Sequence, residues 1–243
     1  MRQGGHRLRS APPPTPPATG FAWRGIRIHC NHRPASVAEQ ADVRSPRRRE
    51  PTDVAESRSG GPLERRTARL RLTAIGPAHA DELHRLYQDP GIAQWAGPAL
   101  SPAAARDLAA HIGERWRLDG VHKWIAHDRT TGGLVGRGGL SRTALDGEPV
   151  LEVGWAVRTP LWGRGYATEM GAEALRFAAQ VLGATEVVAF TEVHNRRSRA
   201  VVERLGMRYD RAIRRPGLVA GREGVHPDAP FALYRIGLTP AAG

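Results

Sequence analysis

Apolar and basic residues alternate from Ala68 to Thr73, the two-residue period of a half-buried strand. From Pro77 to Gln88 the period becomes helical, with Leu83, Leu86 and Tyr87 on one side, and Asp89-Pro90 ends the run. Ser101-Pro102 predicts a second helix start, a serine N-cap before proline at the first helical position. Behind it Leu108, Ile112 and Trp116 recur every four residues as a core-facing stripe. Lys123 to His127 and Gly133 to Leu140 are short runs joined by Asp128-Arg129-Thr130-Thr131-Gly132, the pattern of a β-hairpin. Asp146-Gly147 turns the chain into a strand carrying Glu152, and a helix is predicted over Thr168 to Leu182. A strand over Glu186 to Val193 and a short helix over Ser198 to Leu205, stopped by Gly206, come next. Strand-like stretches around Tyr209–Ile213 and Phe231–Ile236 complete the chain. The order β-α-α-β-β-β-α-β-α-β-β predicts a mixed α/β sheet without internal repeats.

One junction in this pattern suggests chemistry. Residues 151–168 read LEVGWAVRTPLWGRGYAT: a strand, a turn at Thr159-Pro160, a loop punctuated by Gly163 and Gly165, then a helix start. Such an arrangement offers consecutive backbone N–H groups and the positive end of a helix dipole to an anion. Glycine lets the backbone approach a ligand without a Cβ in the way. The loop fits neither G-x-G-x-x-G nor G-x-x-x-x-G-K-[ST], and no lysine is placed to reach a γ-phosphate, so ATP and dinucleotides fit poorly. The residues alone leave two accounts open, a phosphate cradle and a strand–helix junction whose glycines serve packing.

Composition divides the chain near residue 62. The first 62 residues hold nine of the 19 prolines and eleven arginines against five acids, with no sustained apolar period. Such a segment buries too little surface to offset an ordering cost of about 1–2 kcal/mol per residue, so 1–62 is expected to be disordered and 63–243 to form one domain. A solvated tail or an overextended translation start is the simplest account. A basic arm centred on Arg47-Arg48-Arg49 that touches nucleic acid is the functional one. A transit segment is a third, opposed by the proline density. The formal net charge is +12 and Lys123 is the only lysine, a skew that fits a GC-rich coding sequence as well as any function. The single cysteine, Cys30, excludes an intramolecular disulfide and points to a reducing, cytoplasmic setting. No apolar run approaches a membrane span, no apolar segment of signal-peptide type precedes the prolines, and the ten histidines show no metal-ligand spacing.

The 151–168 junction resembles the motif E-x-G-W-x-x-x-x-x-x-W-G-x-G-Y-A-T-E of the GNAT N-acetyltransferases, in the branch that includes the ribosomal-protein alanine acetyltransferases. It is carried by Glu152, Gly154, Trp155, Trp162, Gly163, Gly165, Tyr166, Ala167, Thr168 and Glu169. A second block, Asn195, Ser198, Val201, Glu203, Gly206 and Met207, is similar to the family's N-x-x-S-x-x-V-x-E-x-x-G-[FM]. The resemblance spans roughly Arg65 to Leu238. It implies a GNAT-type mixed, mostly antiparallel sheet flanked by helices. It also implies direct transfer of an acetyl group from acetyl-CoA to a primary amine, with no metal.

The resemblance also implies roles. Backbone amides of Gly163, Arg164, Gly165, Tyr166, Ala167 and Thr168 would grip the pyrophosphate, with the Thr168 hydroxyl and the Arg164 charge assisting and Arg158 as an alternative contact. The strand residues Trp155, Ala156 and Val157 would line the pantetheine arm, with Asn195 bonding the arm, capping the next helix, or both. Glu152, in an apolar strand, is the leading general base, directly or through a water, ahead of Glu192 and His194. Many members carry a tyrosine seven residues after the asparagine as general acid; Val202 stands there, so Ser198 takes that role in expectation. The acceptor is a protein N-terminus, ribosomal or other, or a small amine. The residues Trp95, Trp116, His122, Trp124, Tyr209, His226 and Tyr234 are either its contacts or core. The basic charge points weakly to a nucleic-acid-associated partner. An acyl-CoA sensor without efficient catalysis and a nucleic-acid binder acting through the tail are the other classes, and the protein is expected to be a monomer or homodimer.

Overall fold

The computed structural model describes residues 63–96, 99–222 and 224–240, so the Arg/Pro-rich extension and Cys30 lie outside the described residues. Among the described residues eight strands form one sheet. They are β1 (Glu64–Arg66), β2 (Leu70–Ala74), β3 (Lys123–Asp128), β4 (Leu134–Leu145), β5 (Glu148–Val157), β6 (Glu186–Glu192), β7 (Arg208–Gly217) and β8 (His226–Gly237). The spatial order is β1-β2-β3-β4-β5-β6-β8-β7. Every neighbouring pair is antiparallel except β5 and β6, which run parallel. The mixed, mostly antiparallel sheet is the one expected.

Five α-helices of the described residues flank it: α1 (Ala80–Tyr87), α2 (Pro90–Ala96), α3 (Pro102–Asp119), α4 (Tyr166–Gln180) and α5 (Arg196–Arg204). Two elements, β1 and α2, add to the expected order. Only three residues long, β1 is too short to show a period. The Asp89-Pro90 pair ends α1 as expected and also opens α2, because proline suits a first helical position and the Asp89 carboxylate accepts the Gly91 N–H at 2.9 Å. The N-cap at Ser101 is as expected, its Oγ accepting the Ala104 N–H at 3.1 Å.

Neighbouring residues of β4 show which helix covers which face. Gly138 lies against Met170 of α4, whereas Arg137 donates to the Tyr87 hydroxyl of α1 at 2.8 Å. Alternation therefore puts α4 on one face and α1 on the other. On the α4 side Trp124 and Phe177 meet edge to face at 5.3 Å with Trp116 beside them. These rings and the buried Leu70, Leu83, Leu86, Ile112 and Ile125 side chains belong to one continuous core that reaches from β2 across to β6 and β8.

Candidate active site

The parallel pair β5–β6 is a fork. Its two strands meet at a single register point, Glu152 beside Val188. Beyond that point each strand keeps its outer partner: β5 stays paired to β4 through Val157, and β6 to β8 through Glu192. The inner edges of 153–157 and 189–192 are left without a strand between them. A cavity of about 740 Å³ opens there, lined by both edges, by the start of α4 and by α5. Its volume is that of a small-molecule site, and unpaired strand edges on its wall offer donors and acceptors to an extended ligand. Thr191, buried on β6 and lining the cavity, has a hydroxyl without a hydrogen-bond partner among the described residues.

Helix α4 starts at the mouth of this cavity, two residues earlier than the apolar period suggested. Gly165 is the N-cap with φ +81°, a left-handed backbone that glycine adopts without penalty. The first intrahelical bond runs from Glu169 N–H to Gly165 C=O, leaving the amides of Tyr166, Ala167 and Thr168 as first-turn donors. These three residues, with Gly163 and Gly165, line the cavity. The helix end is pinned by side chains. Glu169 accepts from Thr67 Oγ1 at 2.5 Å, from Arg69 N–H at 2.8 Å and from Arg69 Nε at 2.7 Å. Burial opposes its ionisation, but these bonds hold its pKa below the usual carboxylate range. The Tyr166 hydroxyl donates to Asp128 at 2.8 Å. Upstream, Asp89 accepts the Thr159 N–H at 2.8 Å and the Thr159 hydroxyl, tying the turn to the α1–α2 junction. Gly91 is obligatory there: a Cβ would sit 2.1 Å from Thr159 Oγ1 and 2.7 Å from the Trp162 ring.

On α5, Asn195 is the N-cap, its Oδ1 accepting the Ser198 N–H at 3.0 Å. Asn195, Ser198 and Val202 all line the cavity, the last of them buried. Glu152 and Glu192 line it as well. Glu152 accepts from Ser141 Oγ at 3.3 Å. At the end of β6 burial pushes the Glu192 carboxyl above its ordinary pKa, against backbone hydrogen bonds from its own residue and Leu218.

Residues 69–208 match the family model described as "Acetyltransferase (GNAT) domain". The chain belongs to the GNAT acetyltransferase family. It is 31% identical over 150 residues to YkkB of Bacillus subtilis (strain 168), covering 61% of this chain and 87% of that protein. It is 29% identical over 153 residues to the FsC-acetyl coenzyme A-N(2)-transacetylase of Aspergillus fumigatus, covering 58% of this chain but 63% of that longer protein. Among solved structures, RimL, a ribosomal L7/L12 alpha-N-protein acetyltransferase in complex with coenzyme A, superposes with a TM-score of 0.55. That match has 17% identity and covers 71% of this chain and 96% of RimL.

Within this GNAT domain the residues singled out by the two motifs converge on one cavity. Glu152, Trp155, Ala156, Val157, Gly163, Gly165, Tyr166, Ala167, Thr168, Asn195 and Ser198 all line it. Arg164 does not; its side chain is exposed, and its carbonyl instead accepts from Arg69 Nη1 at 2.9 Å. Arg197, stacked over the Trp162 ring at 4.6 Å, lines the mouth in its place. Of the aromatic and histidine candidates, Trp95 and His122 reach the cavity, while Trp116, Trp124 and Tyr234 are core and Tyr209 is exposed. Trp95 faces His194 at 5.2 Å. Sequence reasoning missed Thr191, Arg137 and Arg215. Each lies in a strand with no local motif, and only the sheet register brings it to the site.

Proposed function

We propose that this protein transfers an acetyl group from acetyl-CoA to an amine, in one step and without a covalent enzyme intermediate. The observation that carries this is the fork: two unpaired strand edges beyond Glu152, with the bare first turn of α4 at its mouth. The cavity fits the donor. The amides of Tyr166, Ala167 and Thr168 suit a pyrophosphate at a helix N-terminus, with Arg197 adding positive charge. The inner edge of Trp155, Ala156 and Val157, the free Thr191 hydroxyl and Asn195 suit the amides of a pantetheine arm. The FsC transacetylase by name and RimL by its bound coenzyme A support the same donor. When bound, acetyl-CoA supplies an acetyl group activated as a thioester.

The chain supplies the proton handling. Glu152 lies at the apex of the fork, where a carboxylate can take a proton from the incoming ammonium, directly or through a water. A second assignment, Glu192, has its raised pKa in its favour, since a base poised closer to neutrality transfers protons more effectively. Ser198 is the hydroxyl of α5 on the cavity wall, and buried Val202 closes the place where a longer acid would stand. We assign Ser198 the task of protonating the leaving thiolate. The basic setting and the relationship to RimL leave protein N-termini and small amines both within the acceptor class.

Calorimetric titration of acetyl-CoA, with ATP as comparison, into the full chain tests this function. Micromolar affinity for acetyl-CoA and none for ATP is the expected result. No binding of acetyl-CoA would sink it.

A further inference from the structure

Resting on the acetyltransferase function proposed above, we propose that the acceptor is an amine that also carries a carboxylate, and that Arg215 is the residue that reads it. Alternation along the paired strands puts Lys123, Arg137, Ser141, Glu152 and Glu192 on the sheet face opposite α4, the face under α1. Arg215 reaches this group from β7, where the ladder with β8 is irregular between Arg215 and Gly217. Bulges of this kind re-aim side chains beside active sites. Glycine is needed beside the bulge, because a Cβ on Gly217 would lie 2.4 Å from the Phe231 ring.

The charges here do not balance. Cations outnumber carboxylates on the cavity wall: Arg137, Arg197, Arg204 and Arg215, besides Lys123, stand against Glu152 and Glu192, and burial biases Glu192 toward its neutral form. Arg215 is half-buried with its guanidinium 3.9 Å from the centre of the Phe190 ring. It feels the charge of Glu152, yet among the described residues it makes no hydrogen bond or ion pair. A guanidinium taken from water without partners is costly, and its planar fork matches a carboxylate in two parallel bonds. Arg137, also on the cavity wall, is committed through Nε to the Tyr87 hydroxyl and makes no other side-chain hydrogen bond among the described residues. The complementary guest is zwitterionic. Its ammonium is drawn to the Glu152 carboxylate and its carboxylate to Arg215, with the acetyl donor arriving between β5 and β6. An amino acid or a short peptide with a free acidic group has this chemistry; a simple alkylamine does not.

Matched conjugates test the inference by binding alone. Coenzyme A is joined through a –S–CH2–CO– spacer to the nitrogen of alanine, β-alanine or γ-aminobutyrate, each beside its carboxamide twin. All are titrated into the full chain, into Arg215→Met and into Arg215→Lys. For at least one spacing the acid is expected to bind about tenfold tighter than its amide. That preference falls to near unity in Arg215→Met and partly returns in Arg215→Lys, while the affinity for coenzyme A alone stays within twofold. Equal binding of every acid and amide by the wild-type chain would overturn the proposal, as would a preference that survives Arg215→Met. If coenzyme A binds and the acids show no preference, only this inference fails. If coenzyme A itself does not bind, the acetyltransferase function fails with it.

Discussion

At its loop end the cavity is walled by one short run of chain, Gly163 to Thr168, and what that run presents is backbone: first-turn amides fixed by a left-handed glycine. At the fork, Lys123, Arg137, Ser141, Glu152, Glu192 and Arg215 arrive from five different strands and present side chains. The difference teaches which part of such a site is rigid by construction. A helix start positions its donors through the hydrogen bonds of the helix itself, and Glu169, Tyr166 and Asp89 only clamp it. The fork has no such internal ladder. Its side chains are placed by sheet register.

The largest effect is expected at the apex of the fork. Glu152→Gln keeps the shape and the hydrogen bond from Ser141 but removes the carboxylate proposed as the base. Its kcat for an amine acceptor should fall by about 10²- to 10⁴-fold, the usual contribution of general base catalysis, with acetyl-CoA affinity unchanged within twofold. An unchanged kcat would move the base to Glu192, for which Glu192→Gln is the matching variant. Such a split, in rate but not in donor binding, would show that the two ends of the cavity act separately.

The loop end should break in the opposite sense. Gly165→Val forces a β-branched residue into φ +81°, a strain of about 1–3 kcal/mol, unless the helix start moves. Acetyl-CoA should bind about ten- to a hundredfold more weakly by calorimetry, with circular dichroism unchanged. Retained affinity would show that the first-turn amides do not hold the donor.

How far each end was legible follows from the same contrast. The glycine loop and the α5 cap are written in consecutive residues, so Gly163, Gly165, Thr168, Asn195 and Ser198 could be picked out before any fold was known. Helix α2 hid behind Asp89-Pro90, because the same dipeptide ends one helix and opens another. Arg215 was invisible because nothing within several residues of it distinguishes it from the chain's other arginines. Its place depends on a bulge in a ladder between strands that sequence periodicity located but could not register. Arg164 was picked out with its neighbours in the chain; they line the cavity, while its own side chain is exposed.

His122 sharpens the comparison through stability. It is buried on the cavity wall with neither ring nitrogen bonded among the described residues, and burial, aided by the charge of Lys123, pushes its pKa down to about 2. The unfolded chain binds this proton near the ordinary histidine pKa of about 6.5, the native chain only near 2. Stability from this group is therefore whole above pH 6.5 and declines as pH falls toward 2, by about 1.4 kcal/mol per pH unit. Urea midpoints of wild type and His122→Leu, compared at pH 7 and pH 5, should diverge by about 2 kcal/mol in the variant's favour at the lower pH. Parallel pH curves would show that the imidazole is solvated in solution.

The smallest effect is expected at Ser198, and the reason is chemical. A thiolate leaving group with a reference pKa of about 8.5 departs as an anion near neutral pH at modest cost, so it needs an acid less than the ammonium needs a base. Ser198→Ala should lower kcat by about tenfold or less, well short of Glu152→Gln, and leave the Asn195 cap intact because the capping bond uses the backbone N–H of residue 198. The loss should grow as pH is raised above the thiol pKa only if Ser198 also binds the acceptor. If it serves the leaving group alone, the thiolate no longer needs its proton there, and the deficit should shrink. A pH profile of the kcat ratio therefore tells which side of the fork this hydroxyl serves.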